Sequence, residues 1–474
     1  MNSIVTYMNI KGIPFLLLIA LTIGLSSCEK ENPIDPNKPM LSEEVLILNK
    51  WIWEGMNDIY LWADHLPNLD PEYQEDPEKY FYDLRNSMDR ESWIVDDYDA
   101  LRDRFSGISL SSGMSAHPGL IDSTQVISII EYVTPGSPAS EAGVERGDII
   151  ISIDGQSLNR DNYYTLYRQQ TASFEFADWD GSQLVPLGED LTITSIELNK
   201  NPIVHHEVIN YQGKKIGYIA YTQFTTGKTG EWLQELDRVF EQFKNAGVSD
   251  MVVDLRYNPG GSLDLSAYFA STLAPETAVK AEKVFVNMVW NDKYNEFWKE
   301  YDIDKDGSPD GEDSPQLVIK LPEAEFNLNL STVYFLTTEG TASACESLMA
   351  GLYPYMDVVQ IGTTTHGKPF GSVTVDDWIE PKRHNWAMQP IVLKWSNKDG
   401  FTDFVNGINP DYLLEENLLY LEPFGSLNDP LLAKALELIT GVYPAKKSLK
   451  VFEDNFSAMP VRPENMVERS IKLF

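Results

Sequence analysis

The sequence predicts a multidomain α+β protein, and three observations carry that prediction. First, 474 residues exceed what one ordinary core accommodates, so two or three domains are expected. Second, 43% hydrophobic residues suffice for packed domains and exclude general disorder. Third, the periodicity changes along the chain. It is helical from Leu41, turns to short strands and tight turns after Phe105, and alternates strand with helix from about His205.

The chain opens on IPFLLLIALTIGLSSC, Ile13 to Cys28, an apolar stretch too short to span a bilayer comfortably and ending in small residues. Its LSSC resembles the lipobox of bacterial lipoproteins, in which the cysteine is lipidated and becomes the mature N-terminus. Residues 1–28 are therefore expected to be a lipoprotein signal peptide and 29–40 a polar, proline-rich tether. The competing reading is an ordinary secretion signal. If Cys28 carries lipid, Cys345 is the one remaining cysteine and no disulfide forms within the monomer. The net charge of −35 without a basic cluster argues against nucleic acid. It leaves the lipid as the expected membrane contact.

Residues 41–103 read as a helical domain. Val45, Leu48, Ile52, Met56 and Ile59 recur at three- and four-residue steps. Trp51, Trp53 and Trp62 fit packing better than a carbohydrate platform. Over 104–201, QVISIIEYV reads as a strand. PGSPASEAG reads as a turn and short helix capped by Ser137, with Pro138 first and Gly143 past the end. A strand from Asp148 to Ile153 then meets the turn Asp154-Gly155.

Over 202–445, KKIGYIAYTQF is a strand and EWLQELDRVFEQFKNAG an amphipathic helix. Three apolar strands each end in a Gly- or Thr-rich loop: DMVVDLR before YNPGGSLD, STVYFLT before TEGTASACE, and DVVQIG before TTTHGKPFG. Sites assemble at such carboxyl ends. Ser343 falls at a strand-to-helix joint, where free amides and a partial positive charge suit either a helix cap or an exposed nucleophile. A lysine amine acts as a base when uncharged, a form that burial favours, and Lys368 is the candidate. The paired Gly260 and Gly261 allow close backbone approach and free donors.

The stretch PGSPASEAGVERGDIIISIDG resembles a circularly permuted PDZ domain of bacterial proteases. That resemblance places a carboxylate-binding turn and peptide-pairing strand at Gly107, Ile108, Ser109 and Leu110. VVDLRYNPGG, TASACE and IGTTTHGK, in that order, resemble the carboxyl-terminal processing peptidases, also called tail-specific proteases. The serine-to-lysine spacing matches that family. The resemblance implies a helical N-terminal domain, the permuted PDZ domain and a crotonase/ClpP-like α/β protease core. It implies Ser343 as nucleophile, Lys368 as base, and an oxyanion hole from Ala344 with Gly260 or Gly261. Glu346 is read as structural support.

Two positions depart from the family pattern. Ser372 stands where a lysine-orienting glutamine is usual, and His366 precedes the GK pair, which leaves a serine–histidine arrangement as the alternative. His205 and His206 are a weaker one. The expected function is C-terminal processing of envelope or extracellular polypeptides with exposed C-termini, by an enzyme lipid-anchored in a bacterial cell envelope and needing no catalytic cofactor. A catalytically impaired peptide-binding or envelope assembly scaffold is the competitor.

One feature stands apart. In DIDKDGSPDGED, Asp302, Asp304, Asp306, Ser308, Asp310 and Asp313 have calcium-loop spacing. The stretch reads either as a structural Ca²⁺ loop or as a solvated acidic insertion. The tail 446–474 shows no interpretable motif.

Overall fold

The computed structural model describes residues 39–121, 125–303, 305–444 and 456–459. The signal peptide, Cys28, most of the tether, Asp304 and most of the tail lie outside them. The described chain forms two compact units, one from residues up to 99 with 290–297 and 370–394, the other from the remainder.

In the first unit, Ser42 caps the helix Glu43–Ile59 by accepting the Val45 N–H. This helix buries Leu48, Trp51, Ile52 and Met56 against Tyr80, Phe81 and Leu84, three residues of the helix Pro77–Leu84. Trp51 is fully buried and its indole N–H donates to the Asp376 carbonyl, so it is a core residue. Buried Asn49 donates both amide hydrogens, to the Pro71 and Gln74 carbonyls, which satisfies its donors. The unit is not contiguous in sequence. Trp93–Val95 pairs antiparallel with Ala387–Gln389, and Met388 and Ile391 complete the core.

The second unit begins with the PDZ sheet, whose strands run in the order Met114–Ile121, Gln125–Val133, Ile149–Ile153, Thr171–Trp179, Leu184–Pro186. The short helix Pro138–Glu141 forms as the sequence predicts, with Ser137 Oγ accepting the Ser140 N–H and Pro138 leading. Asp154 and Gly155 both take positive φ, 51° and 69°, the requirement of a two-residue hairpin turn.

The core of residues 202–445 is a six-stranded sheet ordered Ile203–Tyr211, Lys214–Tyr221, Asp250–Asp254, Thr332–Thr337, Asp357–Gly362, Tyr412–Leu413. The first pair is antiparallel and the rest parallel. The helix Glu231–Ala246 buries Leu236, Val239, Phe240 and Phe243 and stops at Gly247, φ 76°. Leu431, Leu432, Ala435 and Leu436 of the helix Pro430–Thr440 join a cluster with Ile216, Tyr218, Val252 and Leu336 of the sheet. Parallel register aligns three neighbouring strand ends at Asp254, Thr337 and Gly362, and the site is built from the loops that leave them.

Candidate active site

Ser343 lies between the strand Thr332–Thr337 and the helix Ala344–Leu352, at φ 54° and ψ −109°. A side chain rarely takes that backbone conformation, which belongs to sharp, strained strand-to-helix turns that present a nucleophile. The turn is held from both sides. Thr338 Oγ1 donates to the Arg256 carbonyl and Thr341 Oγ1 to that of Leu255 at 2.8 Å. The Ala342 N–H donates to the Asn258 carbonyl.

Glu346, fully buried in the first turn of that helix, organises the rest. Its Oε2 accepts the N–H of Ser343 at 2.8 Å and of Lys368 at 2.9 Å. Its Oε1 accepts the Gly367 N–H at 2.7 Å and the Thr365 hydroxyl at 2.5 Å. One carboxylate thus places the Ser343 and Lys368 backbones within two hydrogen bonds of each other. Four donors of this kind satisfy a buried polar group that would otherwise be costly. Gly367 has φ 91°, and a Cβ there would strike the Gly407 nitrogen at 2.4 Å; the HGK loop reaches Glu346 only with glycine at that position.

The NPGG loop approaches from the third strand end. A Cβ on Gly260 would lie 2.8 Å from the Ala342 carbonyl oxygen and 2.9 Å from Ser343 Cβ, so the glycine is required by contact with the serine turn. Buried Asn258 shapes the loop: its Oδ1 accepts the Gly260 N–H at 2.8 Å and its amide donates to the Tyr221 carbonyl. Gly260's donor is thereby engaged in this state, which shifts the oxyanion expectation toward Gly261. Ala344 occupies the first helical position, at the positive end of the helix.

Beneath the loop Arg256, fully buried, pairs with Asp254 at 2.6 Å, Asp429 at 2.8 Å and Glu416. Burial opposes the charge on Asp254, yet Arg256 holds its carboxyl below the usual range. Glu416 also binds Arg146 of the PDZ segment, whose guanidinium reaches the Tyr257 hydroxyl at 2.7 Å. The hydrogen-bonding roles of Asn258 and Thr365, and this ion-pair cluster, escaped the sequence reading. DLR and NPGG were its visible traces.

The other expected residues fall as follows. His366 is exposed, its N–H donating to the Thr341 carbonyl. Ser372 belongs to the other compact unit, opposite Ile391. His205 pairs with Glu207 at 3.3 Å, and His206 lies edge-on to Phe243. Cys345 is buried, its thiol on the Asn258 carbonyl and pushed well up by burial. Gly107 gives its N–H to the Arg104 carbonyl. Ile108, Ser109 and Leu110 pair with Asn199, Leu198 and Glu197, so one edge of that strand is occupied.

In the acidic loop Asp302 accepts the N–H groups of Asp306 and Gly307, and Asp310 accepts that of Ile303. Asp313 faces Lys320 at 3.4 Å, and Ser308 donates to Asp306. Among the described residues no three metal-ligating side chains converge, and none of their helices is long and apolar enough to cross a membrane.

Comparison with known proteins gives the same architecture. The peptidase family S41 model matches residues 215–414, the S41 N-terminal domain model 48–107, and a PDZ domain model 129–166. The carboxyl-terminal-processing protease of Synechocystis is 24% identical over 318 residues, 66% of this chain and 65% of that protein. A CtpA-like serine protease of Staphylococcus aureus is 26% identical over 283 residues, 59% of this chain and 48% of the relative. The chain thus spans between about half and two thirds of the length of these relatives. A solved S41 protease of Bacteroides fragilis superposes with a TM-score of 0.69 at 29% identity, covering 82% of this chain and 97% of that one. A strained serine turn beside an NPGG loop, set in this order of domains, agrees with those matches, and the chain belongs to peptidase family S41, carrying that family's N-terminal domain and a PDZ domain.

Proposed function

We propose that the protein is a serine endopeptidase of the C-terminal processing type, with Ser343 as nucleophile and Lys368 as general base. The observation that carries this reading is the strained Ser343 turn joined through Glu346 to the Lys368 loop. Ser343 Oγ attacks the scissile carbonyl carbon while the uncharged Lys368 amine takes its proton. The oxyanion that forms is met by the Ala344 N–H and, with the Gly260 N–H held by Asn258, by that of Gly261. Collapse breaks the C–N bond, and the Lys368 ammonium protonates the departing amine. Water, deprotonated by the same lysine, then hydrolyses the acyl ester and regenerates the serine.

The substrates are polypeptides with exposed, apolar C-termini, delivered through the PDZ domain. The protein acts in the bacterial envelope, anchored through lipid on Cys28 and tethered by residues 29–40.

Cleavage of a labelled unstructured polypeptide tests the assignment. Ser343→Ala should lower kcat about 10⁴-fold or more with its melting curve retained. Lys368→Ala should lose about 10³-fold, and His366→Ala should keep most activity. Wild-type turnover by Ser343→Ala refutes the reading. Loss in His366→Ala alone transfers the base to histidine.

A further inference from the structure

A short piece of the tail is placed against the PDZ domain. Phe456, Ser457 and Ala458 lie antiparallel opposite Ile121, Leu120 and Gly119, and the Met459 N–H donates to the Pro118 carbonyl at 2.9 Å. Without them Met114–Ile121 would be the outermost strand of its sheet, with a row of unpaired backbone groups. The Met459 side chain is only 7% exposed. It belongs to one apolar cluster with Leu120 of that strand and with Tyr163, Tyr164 and Leu166 of the short helix Tyr163–Leu166. Backbone pairing along a sheet edge plus one apolar side chain in the domain's interior is how an extended peptide is taken up by strand addition.

The direction agrees as well. Rising residue numbers in the segment run against falling numbers in the edge strand, so the segment runs toward the strand's N-terminal end, the end that follows Gly107–Leu110 in the chain, where the PDZ resemblance puts a ligand's carboxylate.

We propose that Phe456–Met459 is an internal ligand of the PDZ domain: the Met114–Ile121 edge, rather than the strand of residues 108–110 already paired with residues 197–199, is where a substrate polypeptide adds, and the segment competes with it there. The inference rests on the reading of the PDZ domain as the substrate-docking element. Because the segment belongs to the same chain, it acts at a high effective concentration although its footprint is only a few residues. A substrate displaces it when its own concentration and affinity suffice, so the restraint is graded.

Two full-chain variants remove the contact in different ways. Met459→Asp takes away the apolar anchor, and Ser457→Pro takes a backbone donor out of the added strand. In a Ser343→Ala background, a fluorescein-labelled synthetic peptide of sequence EDNFSAMPVR, residues 453–462, is titrated by anisotropy. Each variant should bind it about tenfold or more tightly than the Ser343→Ala parent, whose own segment fills the edge. Equal affinity, or binding to neither, overturns the proposal.

With Ser343 intact, both variants should cleave denatured casein with KM lowered about threefold or more and kcat kept. An unchanged KM in chains that do cleave overturns competition and leaves the protease reading standing. Tight peptide binding by the variants in chains that never cleave supports the internal ligand and overturns the protease reading.

Discussion

Glu346 and Asp302 are both carboxylates that collect N–H groups, and they do so over different spans of chain. Asp302 takes those of Asp306 and Gly307, four and five residues on, in an exposed loop. Glu346 takes that of Ser343 three residues back, then those of Gly367 and Lys368, 21 and 22 residues away, in full burial. The first bond set shapes only its own loop, and water would replace it at little cost. The second joins two loops that leave different strands, and nothing in a desolvated site substitutes for it. A carboxylate's sequence neighbourhood therefore says little about its energetic role. What matters is how distant in sequence the groups are that it unites, and whether solvent competes.

Three substitutions probe that contrast. Glu346→Gln keeps the shape but turns an NH₂ toward donors that then lack an acceptor. It should cost about 2–4 kcal/mol of stability and lower kcat about tenfold or more by loosening the serine–lysine geometry. Urea unfolding and steady-state cleavage measure the two effects, and wild-type kcat would show that this carboxylate does not set the geometry.

Thr365→Val removes one of the four donors, for about 1 kcal/mol with a smaller loss of turnover. An effect as large as that of Glu346→Gln would mean the hydroxyl, rather than the joined loops, dominates. Asp302→Asn should move Tm by about 1 °C or less. The same melts with calcium and with a chelator sharpen the comparison. A calcium-dependent rise in the parent that Asp302→Asn abolishes would make the acidic loop a metal site, and the two carboxylates would no longer contrast.

The parts of this molecule that were legible from sequence are those fixed by local chemistry. Ser137, Pro138 and Gly143 define a short helix from within seven residues. The strand Thr332–Thr337 and the helix Glu231–Ala246 follow from their own apolar periodicity. The Ser343, Gly260 and Lys368 loops were legible as motifs, and the sheet register brings their three strand ends side by side.

Pairings that cross long stretches of chain were not legible. Nothing in Ala387–Gln389 announces Trp93–Val95 as its partner. The Asn258 side chain's use of the Gly260 N–H depends on a loop conformation that composition does not encode. Phe456–Met459 looked featureless because strand addition draws chiefly on backbone groups, which every residue has.

The Ser343 turn has a consequence for efforts to make this protein hardier. Its backbone angles suit glycine, and a side chain there carries conformational tension of about 1–2 kcal/mol. Ser343→Gly should therefore raise Tm by about 1–2 °C while destroying the proposed chemistry. A screen for heat resistance alone would favour such dead variants, and any library of this protein needs a paired assay for turnover.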